Sequence, residues 1–172
     1  MPVTKKTTTA KKTTTAKTAA KKTVTTKPKT TVKKTTMTTT KTTTEISVNG
    51  NKKIGTLQKE FNKKFPYIRL GIFYSYARQQ VAKGESITQI PSDKTLASVR
   101  RADSGGDISI SGNKKVKSLE SEFDKVFGLY AQVCFTDGEG HRHYTSGGSD
   151  DMTLSALNEW GATHGWKKGV TR

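Results

Sequence analysis

Residues 46–73, ISVNGNKKIGTLQKEFNKKFPYIRLGIF, lie over residues 108–135, ISISGNKKVKSLESEFDKVFGLYAQVCF, with 12 identities in 28 positions and no gap. The chain therefore carries one unit written twice, and its fold has to be built in duplicate. The match resumes four positions out of phase, SDKTLASV (92–99) over DDMTLSAL (150–157), which places the length difference in the connections.

Each copy shows the same succession of periodicities. Ile46 and Val48, like Ile108 and Ile110, alternate with polar residues as a short strand does, and the Gly-Asn that follows is a turn signal. Leu57, Phe61 and Phe65, and their counterparts Leu119, Phe123 and Phe127, recur at i, i+4, i+8 on one helical face, with Thr56 and Ser118 suited to the N-cap. IRLGIFYS and LYAQVCFT then read as strands, and DGEG in the second copy suits a hairpin turn into HRHYT. Asp93 and Asp151 are candidate caps for a last short helix carrying Leu96 and Val99, or Leu154 and Leu157.

The expected class is α+β, with two tandem βαββα repeats over residues 45–107 and 108–172. Adding the next copy's first strand gives βαββαβ, the chain order of a ferredoxin-like plait with a right-handed first crossover. A β-grasp variant is the alternative, disfavoured because about seven residues between the first strand and the first helix leave no room for a hairpin there. A repeat this small is expected to pack on its sister to complete a core.

Residues 1–44 are of another kind: 12 Lys, 21 Thr, no acid, no Arg and no aromatic residue, opening with the register KKTTTAKKTTTAK. So little apolar surface cannot offset an ordering entropy of about 1–2 kcal/mol per residue, so the segment is expected to be disordered. Of the net charge of +17 it supplies +12; residues 45–107 supply +5 and residues 108–172 none. A field of this sign recruits polyanions by counterion release, nucleic acid first. An anionic membrane lacks any apolar anchor to hold, and no signal peptide or membrane-spanning run is expected. The single Cys134 leaves no internal disulfide and fits a small core residue in a reducing compartment.

In KKTTTAKKTTTAK, AAKKT and KPKTTVKK the first 44 residues resemble the tails of linker histones and the lysine-rich extensions of bacterial histone-like proteins. The resemblance implies DNA binding without sequence readout. Lysines are flexible point charges that neutralise phosphates, whereas bidentate guanine contacts are made by arginine. The candidate contacts are Lys5, Lys6, Lys11, Lys12, Lys17, Lys21, Lys22, Lys27, Lys29, Lys33, Lys34 and Lys41. Threonine hydroxyls between them are phosphorylation targets that would oppose binding.

Within the repeats, NKK recurs at 51–53 and 113–115, after a strand and before a helix, where helical N–H groups and ammonium groups can meet a phosphate. Lys52 and Lys53 are the favoured pair, because Lys114 and Lys115 sit in the neutral copy. In RLGIFYSYAR, Tyr74 and Tyr76 are interleaved with Arg69 and Arg78, a pattern able to stack bases on an open sheet. His141 and His143 stand at i, i+2, a spacing that can chelate a metal, but no third ligand is evident and the expected reading is an exposed polar strand with no metal or cofactor. No nucleophile elbow or ordered Ser, His and acid set appears, so no catalytic residue is expected.

The expectation is a non-enzymatic, nucleic-acid-associated intracellular protein that binds or packages DNA. The alternative is a structural or adaptor protein within a virion or other large assembly, whose neutral second copy faces a protein partner.

Overall fold

The computed structural model describes residues 45–103 and 105–169. The lysine- and threonine-rich residues 1–44, with their twelve candidate lysines and expected disorder, lie outside the described residues. The first copy forms β1 (Ile46–Val48), α1 (Ile54–Lys64), β2 (Ile68–Tyr74), α2 (Ala77–Ala82) and α3 (Leu96–Val99). The second forms β3 (Ile108–Ile110), α4 (Val116–Phe127), β4 (Leu129–Thr136), β5 (Arg142–Tyr144), a 3-10 turn (Gly147–Asp151) and α5 (Leu154–Thr163). The class is α+β with two antiparallel sheets, β1-β3 and β2-β4-β5. No helix among the described residues is long and apolar enough to cross a membrane.

The strands pair between copies. Ser47 faces Ser109 at the centre of the β1-β3 ladder, and Leu70 faces Val133 beside Gly71 facing Gln132 in the β2-β4 ladder. The copies are offset by 62 positions through the first strand and helix, Ile46 over Ile108, so Ser109 is the counterpart of Ser47; in β2 and β4 the core-facing Ile68, Leu70 and Ile72 match Leu129, Ala131 and Val133, an offset of 61, so Gly71 faces its own counterpart Gln132. Both ladders are therefore centred on one approximate two-fold axis. Neither the four-stranded sheet nor the parallel βαβ crossover of a plait forms among the described residues, because β1 pairs with β3 rather than lying beside β2.

Within each copy the two helix starts cap one another. Ile54 and Gly55 donate to the carbonyls of Lys94 and Ser92 (both 2.9 Å), while Leu96 and Ala97 donate to those of Lys52 (3.1 Å) and Gly50 (2.7 Å). The second copy repeats the arrangement: Val116 donates to Met152, Leu154 to Lys114 and Ser155 to Gly112, at 2.9–3.1 Å. Orphan N–H groups at helix starts are normally satisfied by a local side chain. Here distant carbonyls do much of that, so α1 and α4 have Lys53 and Lys115 at their N-cap positions with no side-chain cap, and Thr56 and Ser118 fall inside the first turn. The short helices are capped by Thr95 and Thr153, whose side chains accept from Ser98 and Ala156, not by Asp93 and Asp151.

The expected apolar faces are buried. Phe61, Phe123 and Phe127 are fully enclosed, and residues of both copies share a single core cluster. Trp166 closes that cluster at the C-terminal end, stacked on Phe135 with ring centroids 3.6 Å apart. After β2 the copies diverge. The second makes the expected hairpin, with Phe135 facing His143. The first makes α2 instead, stopped by Gly84 at φ 74°, and Ile90 donates to the Ile72 carbonyl (2.9 Å) where a further strand was expected.

Phe61→Ala or Phe123→Ala should cost roughly 3–5 kcal/mol in urea unfolding. Because the ladders join the copies, residues 45–107 and 108–172 made separately should each lack a cooperative unfolding transition, and mixing them should restore one by circular dichroism. A cooperative transition in either fragment alone would contradict the shared core.

Candidate functional site

A polar cleft of about 390 Å³ runs beside β2, which is an edge strand, between α1 and the loop before α3. Four cations line it: Lys53 and Lys59 from the start and middle of α1, Arg69 from β2 and Arg142 from β5. Alternation along the strands explains the grouping. Ile68, Leu70 and Ile72 point into the core, so Arg69 points away from it, onto the face it shares with Cys134 and Arg142. None of the four cations is in an ion pair among the described residues, and Asp93, the acid in the lining, has Lys94 at 3.8 Å. Gln58 spans the wall, donating to the Leu70 carbonyl (2.9 Å) and to Gln89 (3.0 Å). The Oδ1 of Asn62 is buried in the same lining with no hydrogen-bond partner among the described residues.

Positive charge concentrated in a cleft without internal neutralisation raises the local concentration of anions. The helix start contributes less than the sequence implied, since the N–H groups of Ile54 and Gly55 already serve the carbonyls of Lys94 and Ser92. Of the favoured pair, Lys53 faces the cleft, whereas Lys52 is partly buried and bonded to Glu60 at 2.6 Å. Lys114 is held by Glu122 in the corresponding way. Cys134 is buried at the base of the cleft, and that burial pushes its thiol pKa up against the pull of Arg142 and Arg69.

The tyrosine and arginine run does not make one stacking surface. Tyr74 packs against the core with Arg101 over its ring (5.4 Å) and Tyr76 stacked on it (5.6 Å). Arg78 pairs with Asp124 (3.3 Å) and lies over Tyr130 (5.3 Å). Of the two tyrosines, Tyr76 is the exposed one.

The equivalent surface of the second copy is neutralised. Ser121 and Asp124 replace Lys59 and Asn62, uncharged Tyr130 follows core-facing Leu129 as Arg69 follows Ile68, and Lys115 and Lys117 both lie against Asp151. Glu120 replaces Gln58 and accepts from the Val133 N–H (2.9 Å).

At the β4-β5 hairpin, outside the cleft, Asp137 accepts a hydrogen bond from His143 (2.7 Å) and from the backbone of the turn. The His143 contact does most to hold its carboxyl below the usual range. The two acids that the sequence left in a turn are thus folded back onto the two histidines.

Comparison of the chain with protein-family models, with curated proteins and with solved structures finds no match.

Burial pushes the Glu120 carboxyl up from its ordinary 4.5 to about 7, opposed by the Val133 N–H and reinforced by Asp150. Between those values the folded chain holds the proton more tightly than the unfolded chain, so this group's contribution to stability falls as pH rises from about 4.5 to about 7. Glu120→Gln should remove that loss and raise stability at pH 8 by on the order of 1–3 kcal/mol, with little change at pH 4.5. Urea unfolding at the two pH values tests this; equal effects at both would refute the assignment.

Proposed function

We propose that the chain is a non-enzymatic protein that binds nucleic acid, in the first place DNA, through phosphate contacts and without reading sequence. The observation that carries this is the cleft beside β2, where Lys53, Lys59 and Arg69 of the first copy and Arg142 of the second converge with no ion pair of their own among the described residues. The twelve lysines of residues 1–44 add charge of the same sign, and no acid of that segment offsets it. Both sets neutralise phosphates by counterion release. Division of labour follows from geometry: the cleft offers about four fixed cations, enough to hold a short run of backbone, while the lysine-rich segment supplies affinity that does not depend on register.

A second reading, an adaptor or structural protein, is favoured by one feature of the second copy. Its surface is electrically neutral, and Tyr144 and Trp160 remain partly exposed beside a groove that Phe135, Met152 and Trp166 also line. Exposed aromatic residues of this kind suit a protein partner.

Salt dependence separates the contributions. The full chain should bind duplex DNA with a log K against log[salt] slope as steep as about −11 from the lysine-rich segment alone, at 0.9 per phosphate contact. Residues 45–172 should retain a slope no steeper than about −3.6 from four cleft contacts. In that shorter protein Lys53→Gln, Lys59→Gln and Arg142→Gln should each flatten the slope by about 0.9. Lys115→Gln and Lys117→Gln should leave it unchanged. Lys52→Gln should cost stability through the loss of Glu60 more than affinity. Equal, negligible effects at every one of these positions would move the folded half to the adaptor reading.

A further inference from the structure

We propose that the β4-β5 hairpin is a binding site for one divalent transition-metal ion of the zinc type, held by Asp137, Glu139, His141 and His143. The site is independent of the basic cleft and of the nucleic-acid reading.

The turn prepares one carboxylate for the task. Oδ1 of Asp137 accepts three backbone N–H groups, from Glu139 (3.0 Å), Gly140 (2.7 Å) and His141 (2.8 Å). These bonds fix the carboxylate plane and leave Oδ2 facing the histidines, as outer hydrogen bonds fix ligands in metal sites. Oδ2 lies 2.7 Å from Nε2 of His143 and 3.6 Å from Nδ1 of His141, and that Nδ1 lies 3.5 Å from Oε2 of Glu139. Ligand atoms of Asp137, Glu139 and His141 are all within 4.8 Å of one another, and His143 lies outside that group and joins it through Asp137, so its ring has to swing toward the other two ligands as the metal enters.

A tetrahedral zinc ion with bonds of about 2.0–2.2 Å holds its ligand atoms about 3.3–3.6 Å apart. Two edges of the cluster already have that length. The edge from Asp137 to His143 has to open by about 0.6 Å as the metal replaces their shared hydrogen. Phe135 stacks on the His143 ring (5.2 Å), which limits how far that ring can turn away. Lys167 brings an ammonium group close to Gly140, an opposing charge that the two carboxylates outnumber.

The donor set also selects the metal. Two imidazole nitrogens with two carboxylates suit zinc and its neighbours, whereas calcium takes six to eight oxygen ligands and magnesium a rigid octahedron of oxygens. Gly140, at φ 105°, lets the turn adopt the backbone conformation that brings the acids back over β5.

The test is calorimetric titration of Zn²⁺ into the untagged full chain, with Mg²⁺ as the comparison. One Zn²⁺ per chain is expected, with no saturable Mg²⁺ binding. His141→Ala and His143→Ala should each weaken Zn²⁺ binding at least tenfold, and Glu139→Gln, which keeps the backbone bonds of the turn, should weaken it severalfold. His164→Ala should leave binding unchanged, because its Nδ1 is bonded at the Trp160 carbonyl (2.8 Å) outside the cluster. His141 and His143 are exposed, so circular dichroism should show the variants folded. Absence of one-to-one Zn²⁺ binding, equally tight Mg²⁺ binding, or binding unaltered in both the His141 and His143 variants would overturn the proposal.

Discussion

Seven facing residue pairs between β2 and β4 hold the two copies in one core, and most other features depend on that ladder. A copy alone has one substantial amphipathic helix and one long strand, too little apolar surface to exclude water. Joined, Ile68, Leu70 and Ile72 from one copy and Leu129, Ala131 and Val133 from the other form a continuous wall beneath α1 and α4. The reciprocal bonds between helix starts then tie the segment preceding α3 or α5 back to the same wall. Long-range backbone pairing thus sets both the sheet and the points at which the helices begin.

This explains which parts were legible in the sequence. The i, i+4, i+8 spacing of Leu57, Phe61 and Phe65 identified the helices and their buried faces, because that periodicity is a local consequence of helical geometry. Strand partners are not local. A duplicated sequence offers each strand the same chemistry within its own copy as across to the other, and alternation in ISVNG does not say which neighbour wins. The caps failed for the same reason: Thr56, Asp93 and Thr95 all suit a helix start, and the bridge between Lys53 and Thr95 decides among them.

The site was half legible. Lys53 was marked by its motif, but Arg142 reaches the cleft only because β5 pairs with β4, and that pairing lies 89 positions from Lys53 in the chain. Lys52 and Lys53 stand side by side in the motif, and it is Glu60, two turns along the helix, that occupies Lys52. At the hairpin, Asp137 and Glu139 read as turn residues, and they are; what the spacing could not convey is that the Asp137 carboxylate, bound by three N–H groups, sits under both imidazoles.

The two-fold relation between the copies is the geometry of a symmetric dimer enclosed in one polypeptide. In a dimer of identical subunits, every residue beside the axis appears twice, so a basic cleft on one side obliges an identical one on the other, and repulsion between them is unavoidable. Covalent linkage of the halves removes that obligation. Gln58 and Glu120, or Lys59 and Ser121, occupy matching places on a shared scaffold, yet each member of a pair is free to answer to a different surrounding. Linkage also makes the pairing of the halves a concentration-independent event, so the assembly persists at dilutions where two separate chains would part.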